Sequence, residues 1–207
     1  MKVFGIGWAK TGTTSLGTAL SRLGFNHKTQ DFDFVDAFYE KDFNRIFDLT
    51  DKYDSFEDWP WLLLYEEFFA RYPDAKFILT IREEISWIKS YQSMLADQGK
   101  ASPRMNEIRQ KLYGLPFPNV TEQQLIARYR KHNEDILSFF SDKPEKLLVV
   151  DWSKGDGYKE LCEFLGVGLI DEPFPHANKA TERKKSNLLS RITRRLSQKS
   201  LLPDVSK

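Results

Sequence analysis

The stretch Val3-Phe4-Gly5-Ile6-Gly7-Trp8-Ala9-Lys10-Thr11-Gly12-Thr13-Thr14-Ser15-Leu16 restricts the fold more than any other part of the chain. A short apolar segment runs into a turn rich in Gly, Thr and Lys. A helical pattern follows, with Leu16, Ala19, Leu20 and Leu23 on one face. A strand that empties through such a turn into a helix aims successive backbone N–H groups, and the positive end of the helix dipole, at one point. That point is a phosphate site.

The loop departs from the P-loop of nucleoside triphosphatases, which reads G-x-x-x-x-G-K-[ST]. Gly7 and Gly12 have the right spacing, but Thr13 follows Gly12, and the loop's lysine is Lys10, two residues before Gly12. A lysine displaced toward the strand argues for a phosphate ligand other than the β/γ-phosphates of ATP.

Beyond the loop, strand and helix patterns alternate. Residues 2–7 read as a strand, 13–23 as a helix stopped by Gly24, and 25–28 as a short second strand. The aromatic and acidic segment 31–47 reads as partly helical, and 53–58 as a weak strand. Leu62, Tyr65, Phe68 and Phe69 give 61–72 a helical period. The apolar run 76–81 suits a central parallel strand buried on both faces, and 83–95 reads as a helix. Pro103, Gly114, Pro116 and Pro118 mark 100–120 as an insertion with one short helix. A long helix is expected over 121–140, with Leu125, Tyr129, His132, Ile136 and Phe139 as its inner stripe. A buried strand over 146–151 and a helix over 158–165 complete the pattern. The expected architecture is α/β, a three-layer P-loop-type fold with a central, mostly parallel sheet flanked by helices. One domain is expected over residues 1–180, with the segment 181–207 part of it or packed on it. The loop 7–14, Asp58, Arg82 and Asp151 all follow strands, so they are expected at one crevice.

Composition excludes some partners. The net charge of +1 gives no case for a nucleic-acid-binding or membrane-coating surface. No apolar run reaches membrane-spanning length, and the first strand begins at once, leaving no room for a signal peptide. The expected location is a reducing cytoplasm. Cys162, the one cysteine, lies in an apolar helical setting and forms no intrachain disulfide. His27, His132 and His176 are scattered, so no metal site is expected. Residues 179–199 carry eight Lys and Arg against Glu182 alone. Such a run is a solvated face or, where the ligand is anionic, part of its site.

A second anion site is legible after the strand 76–81. Arg82 stands at its carboxyl end and Ser90 follows eight residues later, about two helical turns on. A guanidinium fork and a nearby hydroxyl suit a second phosphate. The competing reading pairs Arg82 with Glu83 or Glu84 in an ordinary salt bridge.

Lys10-Thr11-Gly12-Thr13-Thr14 after a first strand, with Arg82 and Ser90 after a later one, resembles the sulfotransferases that use 3′-phosphoadenosine-5′-phosphosulfate. The likeness extends through 54–60, 72–82, Phe164-Leu165-Gly166-Val167 and Pro173-Phe174-Pro175-His176, covering roughly residues 2–180, and is to a soluble microbial and fungal subgroup. The resemblance implies that Lys10, Thr11, Gly12, Thr13, Thr14 and Ser15 hold the 5′-phosphosulfate, and that Arg82 and Ser90 hold the 3′-phosphate. Many cytosolic members carry a tryptophan where this chain has Ser15, so adenine stacking must come from elsewhere. Their Arg-Lys-Gly loop on the 3′-phosphate has its nearest counterpart in Arg183 and Lys184, with no glycine following.

Transfer requires stabilisation of the charge that builds on the oxygen bridging phosphate and sulfuryl group. Lys10 is the candidate, with Thr11 to Thr14 supplying donors. A sulfuryl group carries less charge than a phosphoryl group, so no metal is required. The acceptor hydroxyl or amine needs a general base within hydrogen-bond reach. Asp58 is the first candidate, His27 the second and Glu57 the third. Asp58 has a competing role as N-cap of a helix starting near Pro60. Phe32, Phe34, Phe38, Tyr39, Trp59 and the 91–120 insertion are the candidates for an apolar or aromatic acceptor pocket, with Trp8 at its border. The competing functions are a P-loop kinase using ATP and Mg²⁺ and a non-catalytic nucleotide-binding protein on the same fold.

Overall fold

The structure is a computed structural model that describes residues 1–97 and 101–176. Five strands, β1 (Val3–Gly5), β2 (His27–Lys28), β3 (Ser55–Glu57), β4 (Lys76–Thr80) and β5 (Leu147–Val150), form one sheet in the order β2-β3-β1-β4-β5. Every pairing is parallel, and Phe4 is in register with Phe56 on one side and Phe77 on the other. Eight α-helices lie among the described residues: α1 (Thr13–Arg22), α2 (Val35–Tyr39), α3 (Phe43–Thr50), α4 (Tyr65–Arg71), α5 (Glu84–Asp97), α6 (Pro103–Tyr113), α7 (Glu122–Phe139) and α8 (Tyr158–Leu165). The chain leaves β1 outward to β2, returns to β3, then crosses β1 to β4 and β5. This reversal of direction beside β1 opens a crevice at the carboxyl ends of the strands, where sheets of this kind bind ligands.

The alternation of side chains along each strand makes the three layers. Val3, Ile78 and Val150 pack with Leu16, Ala19 and Leu20 of α1 and Leu161 and Leu165 of α8. Phe4, Phe77 and Leu79 face the other way, onto Phe68 of α4, Trp87 of α5 and Tyr129 and Ile136 of α7. The register stacks Phe56, Phe4 and Phe77 across three neighbouring strands at ring spacings of 5.1 and 5.6 Å. Phe68 lies flat on Phe4 at 4.2 Å. Each such ring contributes about 1.5–3 kcal/mol by burial, so this ladder anchors the middle of the sheet.

Local signals place the helix ends. Thr121 and Gln124 form a capping box at the start of α7. Ser102 caps α6 ahead of Pro103, and Gly114 closes it.

Two elements differ from the sequence reading. The helix expected over 61–72 is a 3₁₀ turn at Trp61–Leu63 followed by α4, with Leu64 interrupting at φ −110°, ψ 22°. Trp61, Leu62 and Leu64 are all buried, and three of four consecutive residues do not share one face of an α-helix. The strand expected to be buried over 146–151 is β5, an edge strand that pairs only with β4 and leaves Val149 39% exposed. No helix among the described residues is long and apolar enough to cross a membrane. The basic run 179–199, including Arg183 and Lys184, lies outside the described residues.

Candidate active site

The loop between β1 and α1 is held in place from three sides. From β4, Thr80 shares a 2.6 Å hydrogen bond with the Thr11 hydroxyl. From α5, the Trp87 indole donates to the Ala9 carbonyl at 2.9 Å. From α7, His132 Nε2 lies 2.8 Å from the Ile6 carbonyl. Burial holds the His132 ring down at about 4, so it is neutral at physiological pH and Nε2–H is the donor. Two glycines are dictated by close approach. A Cβ on Gly7 would come within 2.5 Å of the Thr80 carbonyl oxygen, and one on Gly12, at φ +101°, within 2.4 Å of Trp152 Cδ1. Gly12 is also the N-cap of α1. It offers no side-chain cap, and the first turn carries no acid. The helix therefore brings no anion of its own to its positive end.

Within the loop the expected donors divide. Both donors of Thr11 turn inward, its N–H and its hydroxyl each bonding the Trp8 carbonyl, at 3.2 and 2.6 Å. Thr11, expected to supply a donor to a ligand, thus has both donors engaged within the loop. Thr13 and Ser15 are buried and Thr14 is exposed. Lys10 adopts φ +75°, a conformation uncommon for a residue with a Cβ.

At the end of β4, both neighbouring acids have other partners. Glu83 accepts from the N–H groups of Ile85 and Ser86 at 2.9 and 2.8 Å, and Glu84 forms a bidentate pair with Arg130, both bonds 2.8 Å. Among the described residues no carboxylate pairs with Arg82. The salt-bridge reading of Arg82 is therefore overturned. Ser90 lies six residues into α5, partly buried.

Asp58 follows β3 at φ +71°. Its Oδ1 accepts from the Trp59 N–H at 3.0 Å, and its carbonyl accepts from Leu62 N–H. The N-cap of the 3₁₀ turn is Pro60, without a side-chain bond, so the capping role is overturned as well. Asp58 instead lines a cavity of about 390 Å³ with Ala9, Phe32, Trp59, Met94, Ile108 and Tyr113, and with Gln30 and Arg109 among its polar groups. Burial, reinforced by the neighbouring Glu57 charge, pushes the Asp58 carboxyl up to about 7 against the opposing pull of Lys10. Tyr91, also in the wall, is driven by burial up to about 12 and remains a hydroxyl. Asp58 is thus a carboxyl poised near neutrality beside an apolar space.

Residues 2–183 match the sulfotransferase domain family. The chain belongs to that family. It is 27% identical over 215 residues to Ava biosynthesis cluster protein M of Aspergillus versicolor, covering 85% of this chain and 80% of the relative. A sulfotransferase from Alicyclobacillus acidocaldarius has the same fold, with a TM-score of 0.53 at 17% identity over 86% of this chain and 85% of that one. Membership makes this chain a transferase whose chemistry is sulfuryl transfer.

In this sulfotransferase the other two base candidates do not line the cavity. His27 Nδ1 bonds the Ser55 hydroxyl at 2.9 Å, and its Nε2 faces α1 at Gly17, 3.8 Å from Glu57 Oε1. In the sheet register His27 is level with Ser55, two residues short of the end of β3. Glu57 is buried on the same side, accepting from the Thr29 hydroxyl at 2.6 Å. Of the aromatic candidates, Phe32 and Trp59 line the cavity. Phe34 and Phe38 pack into the core instead, and Tyr39 is exposed. Asp151, expected at the crevice, is buried and folds back on Ser153 in a local turn. Trp87, Tyr129 and Trp152 also brace the site. Their only sequence signal is that of core aromatics. Among the described residues no group of His, Cys, Asp or Glu is arranged to hold a metal.

Proposed function

We propose that this sulfotransferase moves the sulfuryl group of 3′-phosphoadenosine-5′-phosphosulfate to a hydroxyl or amine of a compact, apolar or aromatic acceptor bound in the cavity beside Asp58. The observation that carries the reading is the placement of Lys10 and Asp58. Both are held at positive φ after neighbouring strands, one in the phosphate loop and the other in the cavity wall, and the charge of Lys10 is felt at Asp58. Strain of this kind, on two oppositely charged residues past the carboxyl ends of neighbouring strands, is the sort stored at reacting centres.

In this reading Asp58 takes the proton of the acceptor as its oxygen or nitrogen bonds to sulfur. The bond from sulfur to the bridging oxygen breaks, and the electron pair passes to the 5′-phosphate. Lys10 and the N–H groups at the start of α1 stabilise that charge as it forms. Arg82 and Ser90 hold the 3′-phosphate, which suits a guanidinium that pairs with no carboxylate among the described residues. Apolar walls around the acceptor limit water as a competing nucleophile.

Thermal denaturation with adenosine 3′,5′-bisphosphate, compared with ATP and Mg²⁺, tests the donor. A bisphosphate present at a hundredfold its Kd should stabilise the fold by about 2.7 kcal/mol, a rise of roughly 5–10 °C in Tm for a chain of this size. Stabilisation by ATP with Mg²⁺ and none by the bisphosphate would favour a kinase instead.

A further inference from the structure

We infer that Tyr129 is a positioning residue for the second phosphate, and that its hydroxyl gives this chain its preference for a 3′,5′-bisphosphorylated nucleoside over a 5′-monophosphate. The inference rests on the donor proposed above, and it starts from an unusual use of one side chain. The Tyr129 hydroxyl accepts from the Arg82 N–H at 3.0 Å and donates to the Arg82 carbonyl at 2.9 Å. Arg82 has left the sheet by this point, β4 ending at Thr80. Its N–H and carbonyl therefore have no neighbouring strand to bond, and a helix side chain serves both. Backbone groups deprived of such a partner reorient toward solvent or toward each other, and the guanidinium would move with them.

The ring that carries this hydroxyl is itself fixed. Tyr129 is buried and lies flat against Trp87, ring centres 4.3 Å apart and planes 9° from parallel. Trp87 is the residue that holds the Ala9 carbonyl in the phosphate loop. Two stacked rings, one from α5 and one from α7, thus grip both candidate phosphate sites, Trp87 next to Lys10 and Tyr129 at Arg82. The separation between the sites is set by the stack. A ligand with two phosphates at a fixed spacing benefits from that rigidity, whereas a ligand with one does not. Burial without function would require neither the bracketing of a single residue's N–H and carbonyl nor the diversion of Glu83 and Glu84 to other partners.

Tyr129→Phe keeps the ring and its stack and removes only the hydroxyl. The test is calorimetric titration of the wild type and the variant with adenosine 3′,5′-bisphosphate and with adenosine 5′-monophosphate. Tyr129→Phe should lower the ratio of the two affinities by about tenfold and leave the monophosphate Kd unchanged. Trp87→Phe, which removes the indole N–H that holds the loop and reduces the stack, should weaken both nucleotides and lower the ratio as well. In an Arg82→Ala background, Tyr129→Phe should have no further effect on the ratio. An unchanged ratio in Tyr129→Phe, or an equal loss for both nucleotides, overturns the assignment, because a purely structural hydroxyl would act on both. A wild type that does not distinguish the two nucleotides overturns the proposed donor, and is seen before any variant is made.

Discussion

Asp58 combines two unfavourable local features, a left-handed backbone and a desolvated carboxyl next to the Glu57 charge. Each yields a measurable consequence. A base must be ionised, so turnover should fall as pH drops below about 7. Glu57→Gln removes the like charge, lowers the Asp58 pKa and should move that acid limb to lower pH. Stability runs in the opposite direction. The folded carboxyl titrates near 7, above its ordinary 3.8, so its favourable contribution is complete below pH 3.8 and is lost as pH rises through 7. Asp58→Asn keeps the shape and tolerates the positive φ. It should melt roughly 5 °C higher than wild type at pH 8, with the gap closing toward pH 4, while turnover falls on the order of 100-fold or more. Equal melting temperatures at pH 8, or an acid limb that ignores Glu57→Gln, would show that the carboxyl is not strained as described. Asp58 was legible as a candidate because an acid after a strand stands at the crevice. Its raised pKa was not, because its largest cause is burial, and the cavity walls around it come from α6 and the 30–32 segment, far away in sequence.

At the level of elements, strand β4 and helices α1, α7 and α8 were read closely from the sequence because their patterns are long or punctuated. β4 is a continuous apolar run and lies in the interior of the sheet, while α7 shows a clear 3.6-residue stripe with a capping box. β5 is at least as apolar as β4, yet sits at the edge, since strand order is a property of the sheet and not of the segment. The bracing of the phosphate loop was equally hidden. His132, Trp87 and Tyr129 obey the core periodicity of their helices, and nothing in that periodicity shows that their polar atoms reach the loop or Arg82. The packing of β1 against β4 makes its own prediction. A methyl on Gly7 meets Thr80 backbone on a neighbouring strand, which has no rotamer with which to yield. Gly7→Ala should cost about 3 kcal/mol in urea denaturation. A loss under about 0.5 kcal/mol, the size expected of a neutral surface change, would mean that the loop after β1 does not approach β4 so closely.

For the molecule as a whole, the alternation of strands and helices was enough to give a mostly parallel sheet with helices on both faces, because crossover handedness and short connections leave few alternatives; that every pairing is parallel is seen only in the structure. The layout brings four of the five tryptophans onto the site. Trp8 lies within the loop, Trp59 forms part of the cavity wall and meets Trp8 edge-on at 5.0 Å, Trp87 grips Ala9, and Trp152 lies against Gly12. All four are buried. The protein is therefore its own optical probe. Its ultraviolet emission originates mainly from indoles touching the loop or the cavity, so nucleotide and acceptor should each leave a separate trace in unlabelled protein. Trp152→Phe should blunt the nucleotide response, and Trp59→Phe the acceptor response. An acceptor screen can follow fluorescence alone, before any product has been seen.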